Sequence, residues 1–185
     1  MAQREIWISV DVETSGPSPS TGSLIAIGAC LVNEPAVSFY TELRPIPGLP
    51  WSDEAEGIHH LSRSHLAAKA PEPGVAMTAL ANWLTKLAGR PIFLGFNATF
   101  DWMFVADYFW RFTGTNPFGI SAPDIKAYYA GVRADTETWS QTNGSKIRAH
   151  YPAPAGSAHT HNALDDAREQ AELFRQIRAR RPLGR

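Results

Sequence analysis

The stretch IWISVDVETSG, residues 6–16, decides how the rest of the chain is read. Ile6-Trp7-Ile8-Ser9-Val10 is an apolar run of the kind that forms a buried strand, yet it continues into Asp11 and Glu13. Residues two apart on a strand share a face, separated by about 7 Å. The two carboxylates therefore project together beside Ser9, while Ile8, Val10 and Val12 line the opposite, apolar face. Two like charges next to a core are unfavourable unless a partner or a metal ion balances them. No basic residue lies within that strand's reach after Arg4, so the partner must come from elsewhere in the chain or from solution.

Outward from this strand, the pattern predicts strands over Ile6–Val12, Leu24–Val32 and Ala36–Leu43, with Asn33-Glu34-Pro35 as a turn. They form an antiparallel meander. The segment SGPSPSTGS, residues 15–23, reads as a flexible loop that starts beside the acidic pair. Ala76, Leu80, Trp83, Leu84 and Leu87 recur at helical spacing and predict a helix over Glu72–Leu87, with Pro71 suited to its first turn. A short strand over Pro91–Phe96 precedes an aromatic-rich helix over Ala98–Trp110, and a further helix is expected over Asp124–Ala130. The polar stretch from Arg133 to Ala158 has few apolar anchors and is expected to be a long loop. The last helix, Ala163–Arg178, carries Ala163, Ala167, Ala171, Phe174 and Ile177 on one face. Strands first, then helices alternating with a further strand, give an α/β arrangement of helices flanking a mixed sheet.

The 185 residues suit one domain, with a core over about 6–178 and a solvated basic tail over 179–185. A net charge of −1 removes the argument that a strongly basic chain makes for a nucleic-acid partner. Arg (13) outnumbers Lys (4), so a local cationic patch is still compatible with the composition. The one cysteine, Cys30, sits in the apolar run LIAIGACLV and reads as a small buried hydrophobe. The N-terminus lacks a signal-like apolar segment, and no run approaches the roughly 18 residues of a membrane span. No membrane association and a cytoplasmic location are expected.

Two further segments carry acids. In GFNATFDW, residues 95–102, Asp101 falls in the first turn of a helix, where the dipole alone would favour it, and Asn97 could be its N-cap. In HTHNALDDA, residues 159–167, Asn162 is a good N-cap and Asp165 has a capping-box-like spacing. Asp166 lies beside the face that packs on the sheet, and His161 precedes it by five residues. With Asp11 and Glu13 these make four acids and one histidine.

VDVETSG, FNATFD and HNALDDA together, in this order, resemble the three motifs of the DEDDh (DnaQ-like) family of 3′-to-5′ exonucleases, whose fold is similar to ribonuclease H. IAIGA (25–29) and GIHHLS (57–62) are supporting matches. His60 stands where glycine is common in the family, and Phe96 where many members have histidine. The resemblance implies a ribonuclease H-like mixed sheet and a two-metal site using Mg2+ or Mn2+. Asp11, Glu13 and Asp166 would hold one ion, and Asp11 would bridge to a second near Asp101. His161 would be the general base, a role suited to imidazole. The residue types agree, since hard divalent cations prefer oxygen ligands. The implied reaction is hydrolysis at the 3′ end of single-stranded DNA or RNA, releasing nucleoside 5′-monophosphates. Thr14, Ser15, His59, Asn97 and Phe100 are the expected substrate contacts. The alternative is a proofreading-type subunit or a non-catalytic nucleic-acid-binding module of the same fold. The resemblance also allows a homodimer.

Overall fold

A computed structural model describes residues 4–133, 135–153 and 161–180. Three strands, β1 (Glu5–Thr14), β2 (Leu24–Leu31) and β3 (Glu34–Glu42), open the chain. Helices α1 (Asp53–His59), α2 (Arg63–Lys69) and α3 (Pro73–Thr85) follow, then β4 (Arg90–Leu94) and α4 (Ala98–Thr113). The remainder is helical: α5 (Ile125–Val132), a 3-10 turn (Trp139–Thr142), α6 (Gly144–His150) and α7 (Ala163–Ala179). The strands lie in the order β3-β2-β1-β4, antiparallel except for the parallel pair β1 and β4. The ribonuclease H-like mixed sheet with its N-terminal meander is thus observed.

The alternation read from β1 separates two hydrophobic layers. Ile8, Val10 and Val12 join Leu80, Leu84, Phe104 and Tyr108 in the core beneath α3 and α4. Trp7 faces the other way and packs with Cys30, Phe174 and Ile177 beneath α7. The predicted inner face of α7 is buried throughout. Cys30 is fully buried, its thiol donates to the Ala167 carbonyl, and burial pushes its pKa up to about 11. Tyr108 ties the layer beneath α3 and α4 to the sheet by accepting the Leu24 amide at 2.8 Å.

Gly28 lets α7 approach this closely. It pairs with Asp11 across β1 and β2, on the face that α7 covers. A Cβ built there would lie 2.2 Å from the Ala163 carbonyl and the Leu164 nitrogen, well inside contact distance of backbone that cannot rotate away. Glycine within a strand commonly marks such an approach.

Several expectations change. The stretch expected as a loop over 133–158 folds instead through the 3-10 turn and α6, because Asn143 caps α6 through Lys146 N at 2.9 Å and Ile147 and Tyr151 anchor it in the α7 layer. Residues 154–160, with part of that stretch, lie outside the described residues, as does the tail beyond Arg180. Helices α1 and α2 were not anticipated; each is a short helix started by one serine, Ser52 and Ser62. The loop over 15–23 is not the open tether its composition implied. It is pinched at its base by Ser15 N to Ser23 O at 2.9 Å and Ser23 N to Ser15 Oγ at 2.8 Å. The turn after β2 is shorter than expected, with β3 already begun at Glu34, and Pro73 rather than Pro71 opens α3. Among the described residues no helix is long and apolar enough to cross a membrane.

Replacing Gly28 by Ala should force α7 off the sheet or shift β2. Overpacking of this kind costs about 1–3 kcal/mol, which for a chain of this size corresponds to a fall in Tm of roughly 3–10 °C. Thermal unfolding of Gly28→Ala beside the parent protein measures it.

Candidate active site

β4 stops pairing with β1 at Ser9, opposite Leu94, while β1 runs on to Thr14. Beyond that point the β1 edge has backbone groups to satisfy, and a buried amide without a partner is costly. The Val12 amide donates to Asp101 Oδ1 at 3.2 Å. Asp101 comes from the first turn of α4, and it reaches the strand because Gly95 allows a tight turn between β4 and α4. The carboxylate is 4% exposed. Burial pushes its pKa up to about 8, against the opposing effect of two backbone amide bonds, with Glu13 and Asp124 adding repulsion.

Asp11 and Glu13 point from β1 toward the start of α7, where Asp166 is buried in the first turn. One oxygen from each of Asp11, Glu13 and Asp166 lies within 4.8 Å of the others. Burial, followed by repulsion from Asp101, Glu13 and Asp166, raises the Asp11 pKa well above the ordinary carboxylate value. Glu13 is pushed up to about 8 by burial and then by Asp166. This is the chemistry of a cation site: crowded carboxylate oxygens, no thiol among them, and a charge that the protein alone balances poorly. Such a donor set fits a hard divalent cation. Asp101 lies outside this three-residue group and is held on the adjacent Val12 amide.

Gln170, one turn beyond Asp166, is a site residue to which that reading gave no role. Its Nε2 donates to Asp11 Oδ1 at 2.5 Å and its Oε1 accepts the Phe96 amide at 2.9 Å. It fixes the Asp11 rotamer to the end of β4. Asp11, Asp166, Gln170 and Phe96 line a cavity of about 450 Å3, closed by Gly144, Arg148, Glu169 and Leu173. Arg148 is paired with Glu169 at this wall.

His161 is exposed and takes a left-handed conformation (φ 51°) immediately before the N-cap of α7. Asn162 caps that helix as expected, accepting the Leu164 and Asp165 amides. Asn97 does not cap α4. It is left-handed (φ 63°), and its Oδ1 accepts Lys126 Nζ at 3.4 Å. Asp124 does the capping instead, accepting the Ala98 amide at 2.5 Å on one oxygen and the Ala127 amide at 2.9 Å on the other, so one carboxylate starts both α4 and α5.

The remaining expected contacts are placed as follows. Thr14 is buried and donates to the Gly16 carbonyl at 2.9 Å. The Ser15 hydroxyl is committed to the loop, donating to Pro50 O at 3.3 Å while accepting Ser23 N. His59 is buried, accepts the Leu61 amide on Nδ1 at 3.0 Å, and meets the Trp51 ring edge-on. Phe100 is half-buried, its ring 5.4 Å from that of Phe104. His60, where glycine is frequent in the resembled family, is left-handed (φ 59°) at the end of α1, which is the conformation glycine tolerates best.

Residues 8–174 match the exonuclease family of RNase T type. A 3′-5′ DNA exonuclease of Escherichia coli, Cap18, is 42% identical over 180 residues, covering 94% of this chain and 92% of its own. The nuclease domain of 3′hExo, a DEDDh family member bound to rAMP, superposes with a TM-score of 0.72 at 14% identity, covering 97% of this chain and 94% of that one. The zinc-bound complex of E. coli exonuclease I with single-stranded DNA gives a TM-score of 0.74 at 16% identity, covering 98% of this chain and 42% of that one.

The raised carboxylate pKa values have a definite consequence for stability. A carboxyl whose folded pKa exceeds its unfolded value stabilises the fold fully below the unfolded pKa, and that contribution is lost as pH rises through the folded pKa. For Glu13 and Asp101 the window runs from the ordinary value near 4 up to about 8. In chelator, Tm should therefore fall across this range. Mn2+ should raise Tm most at its alkaline end, since a ligand that binds only the folded state stabilises it. Asp11→Asn should raise Tm in chelator and shrink the response to Mn2+. Differential scanning fluorimetry across pH, with and without the ion, tests all three.

Proposed function

The chain belongs to the RNase T-type exonuclease family and is a 3′-to-5′ exonuclease of the DEDDh type; we propose that it trims single-stranded DNA from a free 3′ end, using Asp11, Glu13, Asp101, Asp166 and His161. The observation that carries this assignment of residues is the convergence of Asp11, Glu13 and Asp166 within 4.8 Å of one another, with Asp11 and Asp166 lining a cavity. DNA is favoured over RNA because the 42% identical relative is named a DNA exonuclease.

Asp11, Glu13 and Asp166 would hold one divalent ion, Mg2+ or Mn2+, and Asp101 with Asp11 would hold a second. When bound, such ions neutralise the carboxylates and stabilise the attacking and leaving oxygens of an in-line displacement at phosphorus. Gln170 keeps Asp11 in one rotamer, which fixes the orientation of the acidic cluster relative to β4. Asp101 is held by the Val12 amide, so the two acids of β1 and the acid of α4 keep a constant spacing. His161 accepts the proton of the attacking water. The water oxygen bonds to phosphorus as the bond to the 3′-oxygen of the preceding nucleotide breaks, that oxygen takes up a proton from solvent to become the new 3′-hydroxyl, and a nucleoside 5′-monophosphate is released. His161 stands immediately before the N-cap of α7, whose first turn is secured separately by Asn162.

Incubating the protein with 5′-labelled single-stranded DNA and RNA in Mg2+, Mn2+ or chelator tests the reading. A ladder shortening from the 3′ end is expected on DNA and none in chelator. Asp11→Asn and Asp166→Asn should lower the rate at least about 10²-fold, and His161→Ala by about 10²–10⁴-fold. Gln170→Ala should cost about 10- to 100-fold and move the metal titration to higher concentration. Binding without shortening in every metal would establish a non-catalytic module in place of the enzyme.

A further inference from the structure

The aromatic run from Phe100 to Trp110 offers little to a substrate, since Phe104, Tyr108 and Phe109 are core. Trp110, at the end of that run, is exposed, but a second exposed ring lies elsewhere. Trp139, on the 3-10 turn, is 58% exposed although its backbone is firmly held. Thr138 and Gln141 form a reciprocal capping box around it, and Thr142 Oγ1 donates to the Trp139 carbonyl at 2.7 Å. Lys126 Nζ sits 4.6 Å over the ring. The same ammonium lies 5.9 Å from the Phe96 ring and donates to Asn97 Oδ1. Phe96 in turn lines the cavity that contains Asp11 and Asp166.

Trp139, Lys126 and Phe96 thus make a continuous ledge leading out from the acidic cavity. Among the exposed large apolar side chains described, which include Trp110 and Ile120, only Trp139 has a cation seated on its ring. With one ring face covered by Lys126, the exposure of Trp139 belongs to its edge and its other face. A rigid aromatic face next to an ammonium matches a nucleobase with its neighbouring phosphate, because bases stack on aromatic rings and an ammonium has three protons to share. A ledge that is open rather than enclosed suits a strand that must slide after each cleavage.

We propose that Trp139 stacks a base of the single strand on the 5′ side of the nucleotide being removed, with Lys126 supporting the ring and the adjacent phosphate. The inference rests on the exonuclease reading above and adds to it the place where the rest of the strand lies.

The test compares two substrates: the p-nitrophenyl ester of thymidine 5′-monophosphate, which is too short to reach the ledge, and an oligothymidylate of roughly 20 nucleotides. For Trp139→Ala, the ratio of kcat/KM on the oligonucleotide to that on the ester should fall about tenfold, mainly through KM, as expected for one lost base stack. Trp139→Phe should keep most of the ratio. An unchanged ratio in Trp139→Ala overturns the proposal, as does an equal loss on both substrates, which would show that the ring merely supports the fold of the site. Either result leaves the exonuclease reading standing. A parent protein that hydrolyses neither substrate removes that reading and the ledge with it.

Discussion

Crowding of like charge governs this molecule. Three carboxylates are held within 4.8 Å of one another, with a fourth bound to the adjacent backbone, and each of Asp11, Glu13 and Asp101 is harder to ionise than an ordinary carboxylate. A flexible scaffold would relax by moving them apart. This one cannot, because each acid is attached to an element whose position is fixed by something else. Asp11 and Glu13 are locked by the register of β1 on β2, and Asp166 by the packing of α7 on Gly28. Asp101 is locked by the tight turn at Gly95 and by Val12. The hydrophobic layers on both faces of the sheet thus do more than stabilise the fold. They supply the free energy that keeps the repelling groups together.

The backbone shows the same tension. Three non-glycine residues among those described have positive φ, and two of them, Asn97 and His161, sit at or immediately before the N-cap of an acid-bearing helix. Such conformations persist only where surrounding structure over-determines them. At Asn97 the determinant is Asp124, which caps α4 and α5 together and so frees the Asn97 side chain for Lys126. The site and its flank are coupled through one carboxylate that belongs to neither.

Much of this was legible in the sequence, for a physical reason. Alternation along β1 assigns Asp11 and Glu13 to one face whatever the fold, and the spacing along α7 does the same for its alanine face, so the acids and the layer they enter could be read residue by residue. Features that depend on two distant segments could not. Gly28 matters only because Ala163 presses on it, and Gln170 because Phe96 presents an amide to it. Asn97 has the composition of a cap, yet a better-placed acid took the role. Helix α6 was missed because Ile147 and Tyr151 are two anchors on one short helix, too few to establish a period. Helices α1 and α2 were missed because a single capping serine is a weak signal when the helix is two turns long.

On the proposed reading, the electrostatics impose an order on how substrate is admitted. A nucleic acid brings phosphates toward four carboxylates, and a chain with net charge −1 supplies little long-range attraction to offset that repulsion. Of the cations beside the cavity, Arg148 is paired with Glu169, whereas Lys126 meets only the neutral Asn97 amide and the Trp139 ring. Balancing the carboxylates and admitting a phosphate are therefore linked events, and linkage is reciprocal: whatever neutralises the cluster favours the strand, and the strand favours retention of what neutralises it. Affinity that does not come from charge must come from contacts insensitive to it, chiefly apolar and stacking contacts. A short substrate footprint follows, because each further phosphate bound would need another basic or amide partner from a chain whose net charge is −1.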